Sequence, residues 1–169
     1  LHLISMKRAI YLCNVDEAGI EGRSSHAEAV ESFAADEGAK VMRICGKLEA
    51  EIGDLDDPGE RSAFLKDAGL EESGLDHLIR EAYAALGLRT FFTVNPKEVH
   101  AWTFREGATA PEAAGLVHTD FQRGFIRAET YSCEDLFELG SEQKLRSEGK
   151  LRQEGKEYVV QDGDVIQFK

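Results

Sequence analysis

The chain has 169 residues, of which 42% are apolar and 31% charged, a composition typical of a soluble globular protein with one ordinary domain or two small ones. Its formal net charge of −12 argues against nucleic-acid binding by the surface as a whole, because a phosphate backbone attracts clustered Lys and Arg. No apolar run approaches the roughly 20 residues of a membrane helix, so we expect a cytoplasmic protein without membrane contacts. Three cysteines without a C-x-x-C pair argue against a disulfide framework or a structural zinc site.

The first half of the chain begins with two short runs of strand-forming residues, Lys7–Cys13 and Lys40–Cys45. Between them, Ser24 and Ser25 can cap a helix that ends at Gly38. A strand, a helix and a strand in this order predict a parallel pair joined by a right-handed crossover, with the first strand buried.

Besides a short helix that begins with Leu48 and Ile52, two longer helices are predicted before the midpoint of the chain. Asp57 followed by Pro58 is a helix start, with Asp as the cap and Pro in the first turn. The second helix has apolar residues spaced to form one buried face, and these are Leu75, Leu78, Ile79, Ala82 and Leu86.

The periodicity changes from helical to extended near Gly87, which predicts a domain boundary between residues 1–86 and 87–169. Phe91–Val94 and Val99–Phe104 flank the turn Asn95–Glu98 and predict a hairpin. The first half carries 9 basic and 18 acidic residues, and the second half 11 and 14. Any RNA contact is therefore expected in the second half.

The remaining elements of the second half predict a small β-grasp sheet. A short helix of small residues leads into a turn at His118–Asp120 and then into a strand at Phe125–Glu129. A capped helix follows at Ser132–Leu139, and the last strand lies within Tyr158–Lys169 after an Asp162-Gly163 turn.

Two groups of residues in this half allow alternative interpretations. The run His118–Asp120 is favoured as a structural turn, with Thr119 and Asp120 capping backbone N–H groups, over a catalytic group, because no third partner is evident. His100, Trp102 and Phe104 alternate on one strand face, where they either pack on the core or stack on RNA bases.

No G-x-x-x-x-G-K-[ST] motif occurs in the sequence, so this chain alone is not expected to hydrolyse a nucleotide.

The run RTFFTVNPKEVHAWTFREGATAPEAAGLVHTDFQRGFIRAE at 89–129 resembles the TGS domain of YchF-type proteins, a family of Obg-related nucleotidases. LHLISMKRAIYLCNVDE at 1–17 and EESGLDHLIREAYAALGLRTFF at 71–92 extend the resemblance. It implies an α/β partial nucleotide-binding domain with a helical segment at 1–86, and an α+β β-grasp (ubiquitin-like) TGS domain at 87–169. The chain would be a C-terminal fragment of a parent that hydrolyses ATP (or GTP) with Mg and acts in translation through the ribosome.

The same resemblance implies a half-site for a nucleotide base, without a cofactor of its own in this fragment. Asn14, Val15 and Glu17 stand after the first strand, where GTPases carry N-K-x-D, with Glu17 in the place of the Asp that reads guanine. Cys45 and Gly46 stand where the family keeps its last base-contacting loop. Because the longer Glu cannot take the same two-pronged position, adenine is the expected base.

In the TGS domain, nine basic residues are candidates for contact with the ribosome or structured RNA: Lys97, Arg105, Arg123, Arg127, Lys144, Arg146, Lys150, Arg152 and Lys156. Interleaved acidic residues leave open a solvated, salt-bridged surface instead. The alternative function is a protein-interaction module without nucleic-acid binding. A sulfur-carrier role is set aside because the chain ends Gln167-Phe168-Lys169 and not Gly-Gly. Exposed sheet edges in the first half predict self-association.

Overall fold

A computed structural model describes residues 3, 6–95 and 97–169 of the chain. The chain divides into two compact units, Leu1–Leu86 and Gly87–Lys169, and each is described by itself. Pro96, in the predicted hairpin turn, and residues 1, 2, 4 and 5, in the first run of the family resemblance, lie outside the described residues.

The first unit contains the predicted parallel pair, with β1 at Ile10–Asn14 and β2 at Lys40–Ile44. The helix α1, Ser25–Glu37, connects them; Ser24 Oγ accepts a hydrogen bond from Ala27 N at 3.4 Å, and Gly38 ends the helix at a φ of 65°. Two details of the prediction were wrong. The first strand begins at Ile10 rather than Lys7, and it is half-buried rather than buried, because the described part of its sheet has only two strands.

Three helices complete this unit, α2 at Gly46–Gly53, α3 at Pro58–Asp67 and α4 at Gly74–Leu86. The predicted start of α3 is confirmed, since Asp57 Oδ2 accepts a hydrogen bond from Glu60 N at 2.9 Å. The core of the unit is small. Cys45, Leu48 and Ile52 are buried, and partly buried side chains of α3 and the neighbouring loops pack against them.

The predicted burial of the apolar face of α4 was wrong. The helix forms as expected, but Leu75, Ile79 and Leu86 are 52%, 49% and 64% exposed. Its contact with β2 uses a polar residue instead, since Glu81 Oε2 lies 3.3 Å from Lys40 Nζ. Within the described residues of this unit, no element covers the apolar stripe.

The second unit is a five-stranded mixed sheet in the order β4-β3-β7-β5-β6. Its strands are β3 Leu88–Val94, β4 Val99–Arg105, β5 Ala128–Ser132, β6 Arg152–Glu154 and β7 Asp164–Phe168. Its helices are α5 Ala110–Val117, α6 Thr119–Arg123, α7 Cys133–Leu139 and α8 Glu142–Ser147. The central strands β3 and β7 are parallel and the other pairs antiparallel, which is the β-grasp arrangement predicted for this half.

Each face of this sheet carries its own core. On the first face, Phe91, Phe104 and Ile166 pack against the buried alanines of α5. On the second face, Tyr131 and Val165 pack with Leu145 of α8. Successive side chains of a strand point to opposite faces of the sheet, so Ile166 lies on the first face and its neighbour Val165 on the second.

Two predicted boundaries in this unit were wrong. His118–Asp120 is not a simple turn, because α6 starts at Thr119. The strand placed at Phe125–Glu129 begins at Ala128, which pairs with Phe168 of β7. The strand assignment stops at Ala128, although the N–H groups of Ile126 and Arg127 both donate to the Lys169 carbonyl.

Candidate nucleotide-base site and nucleic-acid interface

The two loops predicted to read a base lie together at the carboxyl ends of β1 and β2, the edge where parallel sheets place ligands. Asn14 Oδ1 accepts a hydrogen bond from Gly46 N at 3.1 Å, so Asn14 joins one loop to the other. Val15 continues the strand pairing, since its N–H donates to the Ile44 carbonyl at 2.8 Å.

Glu17 opens a short 3₁₀ turn, Glu17–Gly19, which Asp16 caps by accepting a hydrogen bond from Gly19 N at 2.8 Å. The Glu17 carboxylate is held by Lys47, with Nζ 3.0 Å from Oε1. Lys47 also lies 3.7 Å from Glu51. The hydrogen bond to Glu17 and the two carboxylate charges raise the pKa of Lys47 above its ordinary value, so its ammonium stays protonated.

We call the space between these loops the base cavity. It has a volume of about 640 Å³ and is lined by Asn14, Val15, Asp16, Glu17, Ala18, Cys45 and Lys47. Gly46 adjoins it through its bond to Asn14. The arrangement therefore brings the five predicted residues together and adds Lys47 and Asp16, which belong to the same two runs but were not among the predicted base contacts. Lys47 could have been found from its position next to Cys45-Gly46, but its partner Glu17 lies thirty residues earlier.

The described residues contain no group of three His, Cys, Asp or Glu side chains able to hold a metal ion. The described part of the chain therefore supplies no such cluster for the Mg implied for the parent. Among the same residues, no helix combines the length and the apolar composition needed to span a bilayer.

The aromatic residues of β4 lie on the first face of the sheet, where Phe104 and Trp102 pack on the core. Phe104 is 2% exposed. Trp102 stacks on Phe91 with ring centroids 6.5 Å apart, and its Nε1 donates to Thr93 Oγ1 at 2.9 Å. His100 is exposed and lies against Trp102. Packing on the core explains the positions of Phe104 and Trp102.

The run His118–Asp120 has a structural role, although the capping group differs from the prediction. His118 Nδ1 accepts a hydrogen bond from Asp120 N at 3.2 Å and so caps α6. Its side chain is 59% exposed, and that of Asp120 is 75% exposed.

Two of the nine candidate basic residues are exposed but form ion pairs with acidic residues of the same unit. Lys150 Nζ lies 2.9 Å from Asp135, and this hydrogen bond raises the pKa of Lys150 and lowers that of Asp135. Arg152 lies 3.4 Å from Asp164 and 3.6 Å from Glu154, and its guanidinium stands over the Tyr158 ring. These internal contacts compete with any phosphate.

The other seven candidates are exposed, and none has a carboxylate within ion-pair distance among the residues that the structure describes. They are Lys97, Arg105, Arg123, Arg127, Lys144, Arg146 and Lys156. Arg105 lies on the second face of the sheet. It is four residues after Ala101 on the same strand and so shares its face, and Ala101 is opposite Phe92, which packs on the second core. Arg146 lines a cavity on this face together with Val94 and Val165. Arg105 and Arg146 of the β-grasp unit are thus exposed on one face of the sheet and can contact an anion there.

The chain resembles proteins of one family. Residues 88–169 match the family model YchF-GTPase_C, described as a protein of unknown function (DUF933). The ribosome-binding ATPase YchF of Bacillus subtilis is 48% identical, over 100% of this chain and 46% of its own length. The human Obg-like ATPase 1 is 41% identical, over 98% of this chain and 42% of its own.

The fold comparison agrees with the sequence comparison. The structure of the Schizosaccharomyces pombe YchF GTPase matches 96% of this chain and 43% of its own, with a TM-score of 0.84 and 31% identity. A GTP-binding protein from Pyrococcus horikoshii shares the fold at a TM-score of 0.64 and 16% identity. The chain spans about half the length of the curated relatives it matches. By sequence and by fold, this chain belongs to the YchF family.

Proposed function

We propose that the β-grasp unit is a TGS domain that contacts ribosomal RNA, and that the first unit contributes the base-recognition part of an ATP site. The relatives from Bacillus subtilis and Haemophilus influenzae are named ribosome-binding ATPases, which makes both activities candidates for the protein to which this chain belongs. The observation that carries the RNA proposal is the pair of exposed cations on the second face of the sheet, Arg105 and Arg146, neither of which has a carboxylate at ion-pair distance among the described residues.

This face suits RNA because α7 and α8 cover only part of it. Val99 is 68% exposed, and Ala101 and Thr103 follow it on the same open face. Arg105 and Arg146 flank this surface, with Lys97 in the β3–β4 turn. RNA-binding sheets combine such an open strand face with cations that meet the phosphates.

Co-sedimentation of the chain with ribosomes over a salt series tests this proposal. Phosphate contacts release counterions, so binding should fall steeply as salt rises, and it should not depend on ATP because the TGS unit carries the contact. Binding that does not change with salt would favour the alternative function, a protein-interaction module, in which apolar contacts dominate.

The base-recognition proposal rests on the pairing of Glu17 with Lys47 in the base cavity. A carboxylate already bound to an ammonium offers fewer acceptors to the two donors of guanine, which favours adenine. We expect adenosine nucleotides to shift the amide resonances of Asn14 and Gly46 more than guanosine nucleotides do. The Glu17→Asp variant, whose shorter side chain loses Lys47, should reduce this difference, and a larger shift with GTP in the unsubstituted chain would contradict the proposal.

We further propose that exposed sheet edges allow self-association. In the first unit, β1 and β2 each pair on one side only among the described residues, and β4 is an edge of the second sheet. Unpaired N–H and C=O groups on such edges can pair with a second chain. Size-exclusion chromatography with light scattering should show dimer formation that increases with concentration, and a monomer at all concentrations would contradict it.

A further inference from the structure

A second cavity lies on the second face of the β-grasp sheet, beneath α8, and has a volume of about 360 Å³. This is within the range of about 300–1,000 Å³ typical of small-molecule sites. Its apolar walls include Val94, Leu151 and the ring of Tyr131. The Tyr131 hydroxyl is already satisfied, since it donates to Glu142 Oε1 at 2.8 Å.

One charged group in this cavity lacks a full set of partners. The side chain of Glu129 is only 16% exposed, and its nearest cation, Lys169 Nζ, lies 3.8 Å away, beyond hydrogen-bond distance. Among the residues described, no side chain or backbone group donates a hydrogen bond to the Glu129 carboxylate. A carboxylate without protein donors leaves both of its oxygens able to accept hydrogen bonds from a ligand.

The neighbouring side chains define which donors would fit. Gln167 lies directly opposite Glu129 on the antiparallel strand β7 and on the same face. The pair places a carboxylate, which accepts two hydrogen bonds, beside a carboxamide, which can donate. Guanine offers the matching edge, two adjacent donors at N1 and N2 beside the O6 acceptor. Adenine, cytosine and uracil each offer a single donor group on that edge.

We propose that this cavity binds a guanine base, with Glu129 and Gln167 reading its Watson–Crick edge and Arg146 at the mouth contacting the attached phosphate. Arg146 lines the same cavity and its side chain is exposed, so a phosphate bound to Arg146 would lie towards the solvent. The base is supplied either by an unpaired guanosine in RNA, in which case the inference rests on the proposed RNA-binding function, or by a free guanine nucleotide.

The test uses the whole chain and a short uridine oligonucleotide with one central guanosine, compared by fluorescence anisotropy with the same RNA carrying an abasic sugar or adenosine at that position. The guanosine RNA should bind about tenfold more tightly than the abasic RNA, which has the same phosphates. Glu129→Gln should abolish this ratio. Glu148→Gln makes the same charge change at an exposed residue just after α8 and should preserve it.

The outcomes separate this inference from the proposed function. Equal binding of the guanosine and abasic RNAs to the unsubstituted chain would overturn the guanine site and leave RNA binding intact. GMP binding that Glu129→Gln removes, without binding of either RNA, would support the site for a free nucleotide and contradict the RNA proposal. Absence of binding by GMP and by every RNA would overturn both.

Discussion

The two units differ in how completely each covers its own apolar surface. The β-grasp unit buries large side chains on both faces of its sheet, with Phe91 and Leu145 each 0% exposed. Its exposed apolar residues are distributed over separate elements. Among its described residues, the first unit buries six apolar side chains, three of them in one cluster, and leaves most of the apolar stripe of α4 exposed. We infer that contacts within the second unit are sufficient to stabilise its fold, whereas the first unit exposes an apolar surface on α4 that a partner can cover.

The largest expected effect is in the core of the β-grasp unit. Phe91→Ala removes a ring that contacts Phe104, Trp102 and Phe168, and should lower the free energy of unfolding of this unit by about 3–5 kcal/mol. Trp102 is the single tryptophan of the chain, so its fluorescence reports denaturation of this unit. Phe33→Ala, at a ring 54% exposed in the first unit, is the matched control and should leave that transition unchanged.

A second pair of substitutions tests the contrast within the first unit. Ile52 is 1% exposed and Ile79 is 49% exposed. Ile52→Ala should destabilise the unit by about 2–5 kcal/mol, whereas Ile79→Ala should cost a small fraction of that because its side chain is half in water already. Hydrogen exchange of the α2 amides measures both. If Ile52→Ala and Ile79→Ala reduced the protection of these amides equally, the apolar stripe of α4 would have to be covered in solution.

A third comparison uses one chemical change in both units. Asn14 Oδ1 accepts a single hydrogen bond, from Gly46 N, whereas Asn95 Oδ1 accepts two, from Lys97 N and Glu98 N. Asn14→Ala should cost about 1 kcal/mol, and Asn95→Ala somewhat more. Exchange rates of the amides that lose their acceptor report each effect. An unchanged Gly46 amide in Asn14→Ala would contradict the proposed joining of the two base-cavity loops.

The smallest expected effect is a pH dependence in the β-grasp unit. The Thr109 N–H and hydroxyl both donate to Glu112 and lower the pKa of that carboxyl. A folded pKa below the unfolded one gives stabilisation that is complete above the unfolded value of about 4.3 and is lost as pH falls through the folded value. Glu112→Gln should therefore be less stable than the unsubstituted chain at neutral pH and equal to it in acid. Denaturation followed by Trp102 fluorescence at neutral and at acid pH measures this difference.

Local signals in the sequence predicted most of the elements. Asp57-Pro58 marks the start of α3, and Gly38 ends α1, because caps and breakers act over one turn. The parallel pair β1–β2 and the hairpin β3–β4 also follow from short-range patterns. The base-cavity residues were found through the family resemblance rather than through their own motif, which is short enough to occur by chance.

Long-range partners could not be predicted. The amphipathic spacing of α4 gives no information on whether a partner covers it, and Leu75 and Ile79 are exposed. Lys150 and Arg152 are held by Asp135 and Asp164, residues twelve to fifteen positions away that only the fold brings near. The partly satisfied Glu129 carboxylate likewise depends on the register of β5 with β7.

Ribosome co-sedimentation of two charge-reversal variants tests the central claim, that the second face of the β-grasp sheet carries the RNA contact. Arg105→Glu/Arg146→Glu changes that face, whereas Arg8→Glu/Lys66→Glu makes the same change in net charge at exposed residues of the first unit. We expect the first variant to lose binding at low salt and the second to retain most of it. Equal loss in both variants would mean that net charge, and not this face, governs binding, and would contradict the account.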